Sequence, residues 1–324
     1  MSEDIHENFK IMLQKIEAYG KIIIHRHNKP DGDAMGSQIG LKHIIKKNYK
    51  DKQVYVVGDS AGQYSFMDDS VMDELADDCF DGALCIILDC GSKTLISDTR
   101  YERAACTLRF DHHIFDQKIA DYEIIDTSYE SCCGLITRFA IECGLRVPSL
   151  AAKSLFTGMV TDSGRFRYDA TTARTFRHAA FLLEQQFSMD NVYRNLYSED
   201  YESKKLRASF LLKVNFTEHN VAYIYTSYEE LKKLGTDTFT ISRGMVNTMA
   251  DIKDVDIWVN FTEIENNSVL CELRSSCYNI NPIAKKYGGG GHKKASGATV
   301  ANKETAMQML HDLDLLATEA PAEN

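Results

Sequence analysis

The chain has 324 residues, 44% of them hydrophobic and 26% charged, which is the composition of a folded protein long enough for two domains of ordinary size. Its net charge of -10 argues against extended binding to nucleic acid, because neutralising many phosphates requires a surplus of Lys and Arg. The longest apolar runs, such as residues 83–88, fall far short of the roughly 20 residues of a membrane-spanning helix, so we expect no membrane association.

The N-terminal segment, residues 1–7, is acidic and lacks the basic and apolar regions of a secretory signal, so we expect a cytoplasmic protein. The cysteines number 9, and no two of them have the C-x-x-C spacing of a zinc or redox motif. We therefore expect reduced, mostly buried thiols, and we assign no function to the adjacent pair Cys132 and Cys133.

The first part of the chain predicts alternating strands and helices. Hydrophobic periodicity indicates helices over residues 4–19, 36–47, 132–143, 150–160 and 172–186. Short β-branched or apolar runs predict strands over residues 21–25, 53–57, 84–88 and 107–110. This alternation is typical of an α/β domain with a mainly parallel sheet.

The remainder predicts a helical linker and a smaller α/β domain. Strand-like segments at residues 221–226, 256–262 and 269–274 precede a glycine run and a closing helix over 303–316. We predict an N-terminal catalytic domain over residues 1–188, a polar helical linker over 189–215, a C-terminal substrate-binding domain over 216–318, and a tail over 319–324.

Acidic and histidine clusters follow three of the predicted strands. They contain His27, Asp31 and Asp33 on one loop after the first strand, Asp89 after the third, and Asp111, His112 and His113 after the fourth. A further candidate, Asp162, is at a predicted helix end. Because ligands bind at the carboxyl ends of strands in open α/β sheets, we expect these side chains to share one site.

Convergence of four carboxylates would require cations. Four such groups within about 5 to 6 Å repel by roughly 3 kcal/mol per pair at an effective dielectric of 20. Two divalent ions would cancel this repulsion, and imidazoles from His27 and His112 would complete a mixed N/O shell that manganese, iron, cobalt or zinc accepts better than calcium. Each Asp taken alone is more often a turn residue or a helix cap. The presence of all four clusters, in this order along the chain, favours a two-metal phosphoester site.

The triplet Asp111-His112-His113 and its surroundings resemble the DHH phosphoesterases, a family named for this string. Four segments resemble the family's motifs, namely residues 22–41, 88–91, 111–113 and 158–166. Residues 274–276 and 288–292 resemble the DHH-associated substrate-binding domain. The resemblance therefore extends over almost the whole chain.

The resemblance implies two Mn²⁺ ions per active site, for which Mg²⁺ or Co²⁺ could substitute. His27 and Asp31 would bind one ion, and Asp33, His112 and Asp162 the other, with Asp89 bridging both. Asp111 would lie behind the ligands and orient one of them. His113 would contact the scissile phosphate or protonate the leaving oxygen, and a hydroxide between the metals would attack phosphorus in line.

The glycine run, residues 288–291, permits positive φ and close approach of backbone N–H groups to an anion. No Gly-Lys-Ser/Thr string follows it, which excludes an ATPase loop, while a flexible linker is the simple alternative. Neighbouring cations favour a pocket for a nucleotide's non-scissile phosphate. The expected substrate contacts are Arg274, Ser275, Gly289, Gly290, Gly291 and His292.

The function that the resemblance implies is hydrolysis of short oligoribonucleotides to mononucleotides, together with removal of the 3′-phosphate of adenosine 3′,5′-bisphosphate (pAp). A soluble phosphodiesterase of cyclic di-AMP, or of its linear product pApA, is the alternative. A manganese pyrophosphatase fits less well, because those enzymes carry a Ser-Arg-Lys-Lys-Gln stretch that is missing here. A non-catalytic nucleotide-binding regulator would be expected to lose metal ligands. Substrate preference, polarity of digestion, the native metal and homodimer formation stay open.

Overall fold

The computed structural model describes residues 2–319, with side chains from residue 5 onward, so the predicted tail lies outside the described residues except for residue 319. The chain divides into two units between Ser198 and Glu199. Across the described range, no helix combines the length and apolar character needed to cross a membrane.

The first unit contains a parallel sheet of short strands in the order β2-β1-β3-β4-β5. They are β1 (Lys21–His25), β2 (Gln53–Val56), β3 (Leu84–Leu88), β4 (Cys106–Asp111) and β5 (Tyr122–Ile125). Every residue of β3 is buried, as expected of a central parallel strand covered on both faces. From β1 the chain goes to β2 on one side, and from β2 it crosses to β3 on the other side of β1. The direction of strand addition therefore reverses between β1 and β3, and a topological switch point lies at their carboxyl ends.

Helices pack on one face of this sheet. They are α1 (Ser2–Ala18), α2 (Gly32–Asn48), α3 (Cys132–Glu142), α4 (Ser149–Asp162), α5 (Ala173–Leu183) and α6 (Met189–Tyr197). Successive strand residues point to opposite faces, so Ile22 and Ile24 join the large helix-covered core. Ile23 instead joins a smaller core, which loop residues such as Phe80 and Tyr101 complete on the other face.

Helices α2 and α4 approach each other closely through glycine. A Cβ atom at Gly36 of α2 would stand 2.5 Å from the carbonyl oxygen of Ser154 in α4. A Cβ atom at Gly32 would collide with the side chain of Thr161, so the start of α2 lies beside the end of α4. This antiparallel packing brings the first turn of α2 next to the last turn of α4.

The stretch predicted as one helical linker, residues 189–215, is two helices. Helix α6 ends at Tyr197 and is followed by the extended residue Ser198. Helix α7 (Tyr201–Leu211) begins in the second unit, where the Asp200 side chain accepts a hydrogen bond from the backbone N–H of Ser203. The N-cap at Asp200 starts a new helix, which the polar pattern alone did not separate from the first.

The second unit contains a mixed sheet in the order β10-β11-β9-β8-β7-β6. Its strands are β6 (Asn215–Phe216), β7 (Ala222–Thr226), β8 (Ile257–Glu263), β9 (Val269–Ser275), β10 (Gly290–Gly291) and β11 (Ala295–Val300). Its further helices are α8 (Tyr228–Leu234), α9 (Asn281–Lys286) and α10 (Lys303–Leu316). Met309 and Leu313 of α10 share a core with Val259 and Leu273 of the sheet. The predicted α/β class is confirmed for both parts of the chain.

Candidate metal centre

The loop between β1 and α2 carries His27 and Asp31. Asp31 is the N-cap of α2, and its Oδ1 accepts hydrogen bonds from the backbone N–H groups of Asp33 and Ala34, each at 2.9 Å. Nε2 of His27 lies 3.7 Å from Asp31 Oδ1 and 3.5 Å from Asp89 Oδ2. Asp33 belongs to the first turn of α2 and not to the loop, because Asp31 starts the helix.

The carboxylate of Asp33 is held by the amino-terminal end of helix α3. The backbone N–H of Cys132 donates to Oδ2 at 2.7 Å, and that of Cys133 donates to Oδ1 at 2.8 Å. Free N–H groups at a helix N-terminus stabilise negative charge. Asp33 is buried, so these two hydrogen bonds fix a carboxylate that has little access to water.

Asp89 follows β3 at the switch point of the sheet. It is 2% exposed, and its backbone adopts a left-handed conformation with φ of 54°. Its Oδ1 is buried and finds no hydrogen-bond partner within residues 5–319. Leaving a buried carboxylate oxygen without a partner is unfavourable by about 1 to 3 kcal/mol or more, so this atom fits a cation ligand.

His112 faces three carboxylates. Its Nε2 lies 3.4 Å from Asp89 Oδ1, 3.6 Å from Asp33 Oδ2 and 3.3 Å from Asp162 Oδ2. Its Nδ1 lies 3.3 Å from the carbonyl oxygen of Tyr129. A proton on Nδ1, donated to this carbonyl, leaves the lone pair of Nε2 for a metal.

Asp111 and His113 form a pair beside these candidate ligands. Asp111 ends β4, is fully buried, and accepts at Oδ1 from Nδ1 of His113 at 2.8 Å. Oδ1 also accepts from the backbone N–H groups of His112 and His113. The His113 side chain is 50% exposed, and its Nδ1 lies 3.6 Å from Asp89 Oδ1. His113 is therefore the imidazole of the triplet with the greater access to solvent.

The charges of the cluster are coupled. Burial opposes protonation of His27, but its carboxylate neighbours raise its pKa to about 11. Burial acts in the same way on His112, and the carboxylates around it raise its pKa to about 10. Burial and then the charge of Asp89 raise the pKa of Asp33, and burial is also the main reason that the pKa of Asp162 rises to about 7. Burial disfavours the charged form of Asp89 too, yet the two histidines outweigh it and lower its pKa. The carboxylates thus favour positive charge on the neighbouring histidines, and divalent cations bound among them would supply the same compensating charge.

Three sets of side chains have their ligand atoms within 4.8 Å of one another. The sets are His27, Asp31 and Asp89, then Asp33, His112 and Asp162, then Asp89, His112 and His113. The first two share a cluster through the contacts of Asp89, so all six ligands named from the sequence come together, with His113 beside them. Mixed imidazole and carboxylate donors suit Mn²⁺, Zn²⁺ or Fe²⁺. Together with the unpartnered oxygen of Asp89, this donor set fits divalent metal ions.

The residues expected to contact substrate lie in the second unit. Arg274 is on β9, opposite Ala295 of β11, and its guanidinium contacts Glu272 Oε2 at 3.2 Å and the carbonyl oxygen of Leu273 at 2.8 Å. Ser275 Oγ accepts hydrogen bonds from two backbone N–H groups at the end of β9. The backbone of His292 bonds to that of Ala295 at 2.7 Å, so Arg274 and His292 lie at the same end of the sheet.

The glycine run forms part of the same sheet. Gly289 and Gly290 have ordinary φ values, and Gly290 pairs with Gly297 of β11. Gly291, with φ of 134°, lies so close to β11 that a Cβ atom would stand 2.6 Å from the carbonyl oxygen of Ala295. The run is therefore a strand and turn against β11, and the flexible-linker alternative does not apply to it.

Two buried arginines beside the cluster were not anticipated. Arg26 and Arg109 are the largest of the fully buried side chains. Arg26 donates to the carbonyl oxygen of His27 at 3.0 Å and to Asp59 Oδ1 at 2.7 Å, which braces the loop that carries His27. The sequence signal for them was an arginine within or next to an apolar strand, where a charged side chain is unusual. Their hydrogen-bond partners could not be predicted from this pattern.

Comparison with known proteins follows the two units of the chain. The DHH family, N-terminal domain, matches residues 21–159, and the DHHA1 domain matches residues 222–319. The first match contains most of the metal cluster, and the second contains Arg274 and the glycine run.

Two curated proteins and one solved structure are similar to this chain over nearly its whole length. A Streptococcus mutans protein named probable bifunctional oligoribonuclease and PAP phosphatase NrnA is 37% identical over 94% of this chain and 98% of its own. The Bacillus subtilis bifunctional oligoribonuclease and PAP phosphatase NrnA is 33% identical over 95% of this chain and 98% of its own. The crystal structure of an exopolyphosphatase-related protein from Bacteroides fragilis has a TM-score of 0.83 at 25% identity, covering 97% of this chain and 98% of that one. The matched domains and these near full-length relatives show that the chain belongs to the DHH family, with a DHHA1 domain following the DHH domain.

Proposed function

We propose that this protein is a cytoplasmic, Mn²⁺-dependent phosphoesterase that degrades short oligoribonucleotides to mononucleotides and removes the 3′-phosphate of pAp. The observation that carries the proposal is the convergence of His27, Asp31, Asp33, Asp89, His112 and Asp162 at one sheet edge. The names of relatives that are 33% and 37% identical support this substrate class.

Two metal ions are assigned to the cluster. His27 and Asp31 would hold one, Asp33, His112 and Asp162 the other, and Asp89 both, which agrees with the unpartnered, buried Oδ1 of Asp89. When bound, such ions neutralise charge on the phosphoryl oxygens and lower the pKa of water. The α3 amides hold Asp33 in place, and the Tyr129 carbonyl fixes the ring of His112.

His113 is assigned to the substrate. Its Nδ1 is hydrogen-bonded to Asp111, which leaves Nε2 of a half-exposed ring for a phosphate oxygen or the leaving oxygen. A proton held on Nε2 would be donated as the P–O bond breaks. Asp111 is assigned to orienting His113 rather than a metal ligand, which differs from the role that the resemblance implied, because its Oδ1 accepts from the ring of His113.

Recognition of the substrate is assigned to the second unit. Arg274 and Ser275 at the end of β9, with Gly289, Gly290, Gly291 and His292, would bind the nucleotide's non-scissile phosphate and base. Arg274 would exchange its contact with Glu272 for the phosphate. All nine cysteines are free thiols, most of them buried, which supports a reducing cytoplasm.

The test is a substrate panel with purified protein and Mn²⁺. The panel contains pAp, di- to pentaribonucleotides, pApA, cyclic di-AMP and pyrophosphate, with products identified by chromatography. An Asp89→Asn sample purified in parallel reports contaminating activity. We expect release of mononucleotides from the short RNAs and of phosphate from pAp. Preferential hydrolysis of cyclic di-AMP or pApA, or hydrolysis of pyrophosphate alone, would overturn the proposal.

A further inference from the structure

Arg109 lies inside the sheet, two residues before Asp111 on strand β4. Residues i and i+2 of a strand point to the same face, so their side chains are neighbours. The exposure of Arg109 is 0%, and no sequence motif accounts for it. Burying a guanidinium is unfavourable unless it is paired and hydrogen-bonded, so its partners must be part of the explanation.

Those partners are Asp111 and the chain segment that follows the DHH triplet. Nη2 of Arg109 donates to Oδ2 of Asp111, and Nη1 lies 3.3 Å from both Glu123 Oε1 and the carbonyl oxygen of Gln117. Glu123 Oε1 also accepts from the backbone N–H of Ile119 at 2.7 Å. Arg109 therefore connects Asp111 to both the loop and the strand that follow His113.

The two oxygens of Asp111 have different tasks. Oδ2 is bound by Arg109, while Oδ1 accepts from the ring Nδ1 of His113 and from two backbone N–H groups of the triplet. A carboxylate held at both oxygens cannot rotate freely about its Cβ–Cγ bond. With Oδ2 released, Oδ1 would lose the geometry that orients the half-exposed ring of His113.

We propose that Arg109 is a positioning residue for the hydrolytic reaction, which acts by locking the Asp111 carboxylate so that His113 is held against the substrate. This inference rests on the proposed function. The forked guanidinium suits the task, because one side chain binds Asp111 with one nitrogen and the loop with another. The hydrogen bonds of Arg109 go to Asp111, Glu123 and Gln117, none of which is among the six residues assigned to the metals.

The first experiment is a double-mutant cycle on kcat and KM with pAp and Mn²⁺. Arg109→Met preserves length without charge, Asp111→Asn removes the partner's charge, and the double variant closes the cycle. We expect Arg109→Met to lower kcat by about 10- to 100-fold, with KM within about threefold and both metal equivalents retained. In the Asp111→Asn background the same change should alter kcat by less than about threefold, because the residue acts through Asp111.

The matched control is Arg100→Met. Arg100 is also paired with carboxylates in the first unit, at Asp98 and Asp77, but contacts no residue of the triplet. It should leave kcat unchanged. Arg109→Lys restores the charge without the fork and should recover part of the lost kcat, which keeps the test informative if Arg109→Met is unstable. An unchanged kcat in Arg109→Met, or fully additive losses in the cycle, would overturn the inference.

A spectroscopic measurement separates this inference from the proposed function. In protein loaded with Mg²⁺ and labelled with ¹⁵N-histidine, the proton shared by His113 and Asp111 should give a downfield ring resonance, assigned by its absence in His113→Gln. Arg109→Met and Arg109→Lys should shift or broaden it, and Arg100→Met should not. If the wild type hydrolyses none of the panel substrates, the proposed function fails, while this resonance still decides whether Arg109 positions the pair. An unmoved resonance in both Arg109 variants would overturn the inference.

Discussion

Gly158 lies directly against Asp33, so that a Cβ atom at Gly158 would stand 3.0 Å from the Cα atom of Asp33. Gly158 is on α4, one turn before Asp162, and Asp33 is in the first turn of α2. With those of Gly32 and Gly36, this contact is one of the places where the two helices approach closely. In this packing Asp33 and Asp162 lie 3.6 and 3.3 Å from the same nitrogen of His112.

Gly158→Ala should therefore weaken both stability and metal binding. Overpacking a tight contact typically lowers the free energy of unfolding by about 1 to 3 kcal/mol. The added methyl group would collide with Cys133 Sγ as well as with Asp33, and displacement of α2 from α4 would move Asp33 away from Asp162. Urea unfolding and titration calorimetry with Mn²⁺ measure the two effects. Gly20→Ala is the control, since no atom lies within 4 Å of a Cβ built there. Equal metal affinity in both variants would show that the helix contact does not set the site.

Asp89→Asn should abolish turnover and leave the fold intact. Asn tolerates the left-handed backbone that Asp89 adopts, at φ of 54°, whereas Ala would add backbone strain to the loss of a ligand. The amide has the shape of the carboxylate but not the charge required to hold two cations. Activity is compared with metal content from elemental analysis. More than about a tenth of the wild-type kcat, with metal content unchanged, would contradict the bridging role.

His113→Gln should keep both metal equivalents and lose mainly kcat. The reason is that the His113 ring is bonded to Asp111 through Nδ1 and is more exposed than that of His112. His113 nevertheless lies with Asp89 and His112 in a set able to bind an ion. Metal analysis beside steady-state kinetics distinguishes the two roles. Loss of one metal equivalent would identify His113 as a ligand.

Arg274→Gln should raise KM for pAp and dinucleotides by about 10- to 100-fold, as expected when a charged hydrogen bond of about 1.5 to 3 kcal/mol is lost. Metal content should not change. Glu272→Gln removes the carboxylate that Arg274 contacts at 3.2 Å, and it should leave KM unchanged or lower it, because the guanidinium no longer has that competitor. Normal pAp binding by Arg274→Gln would exclude the assigned role.

His178 should make the fold sensitive to acid. Burial, followed by the charges of Arg174 and Arg138, lowers the pKa of His178 to about 4, below its ordinary value of 6.5. The unfolded chain binds the proton more readily, so stability is complete above pH 6.5 and is lost as the pH falls towards 4. His178→Phe keeps an aromatic ring against Tyr129, whose ring stacks on that of His178 at 6.0 Å.

Between pH 7 and pH 5 the wild type should lose about 1 to 2 kcal/mol more unfolding free energy than His178→Phe, measured in urea at each pH. The comparison with the variant cancels the contributions of other titrating groups. Identical pH slopes for the two proteins would mean that His178 is protonated as easily in the folded state as in the unfolded chain.

The residues proposed to bind metal could be selected from the sequence because their placement depends on local pattern. A buried strand such as β3 ends where apolar residues stop, and the next residue, Asp89, falls at the sheet edge without reference to the rest of the fold. Asp162 was likewise placed at a helix end by periodicity, and it is the last residue of α4. Such signals extend over a few residues, the range over which strand and helix periods repeat.

The supports of the site could not be found in this way, because they join residues distant in the chain. The N–H groups that hold Asp33 come from Cys132 and Cys133, which are 99 and 100 positions away, and no local pattern pairs them. The burial of Arg109 with Asp111 and Glu123 depends on the pairing of β4 with β5. Hydrogen-bond partners of buried charges are selected when the elements pack, since packing decides which polar groups lose water and must find each other.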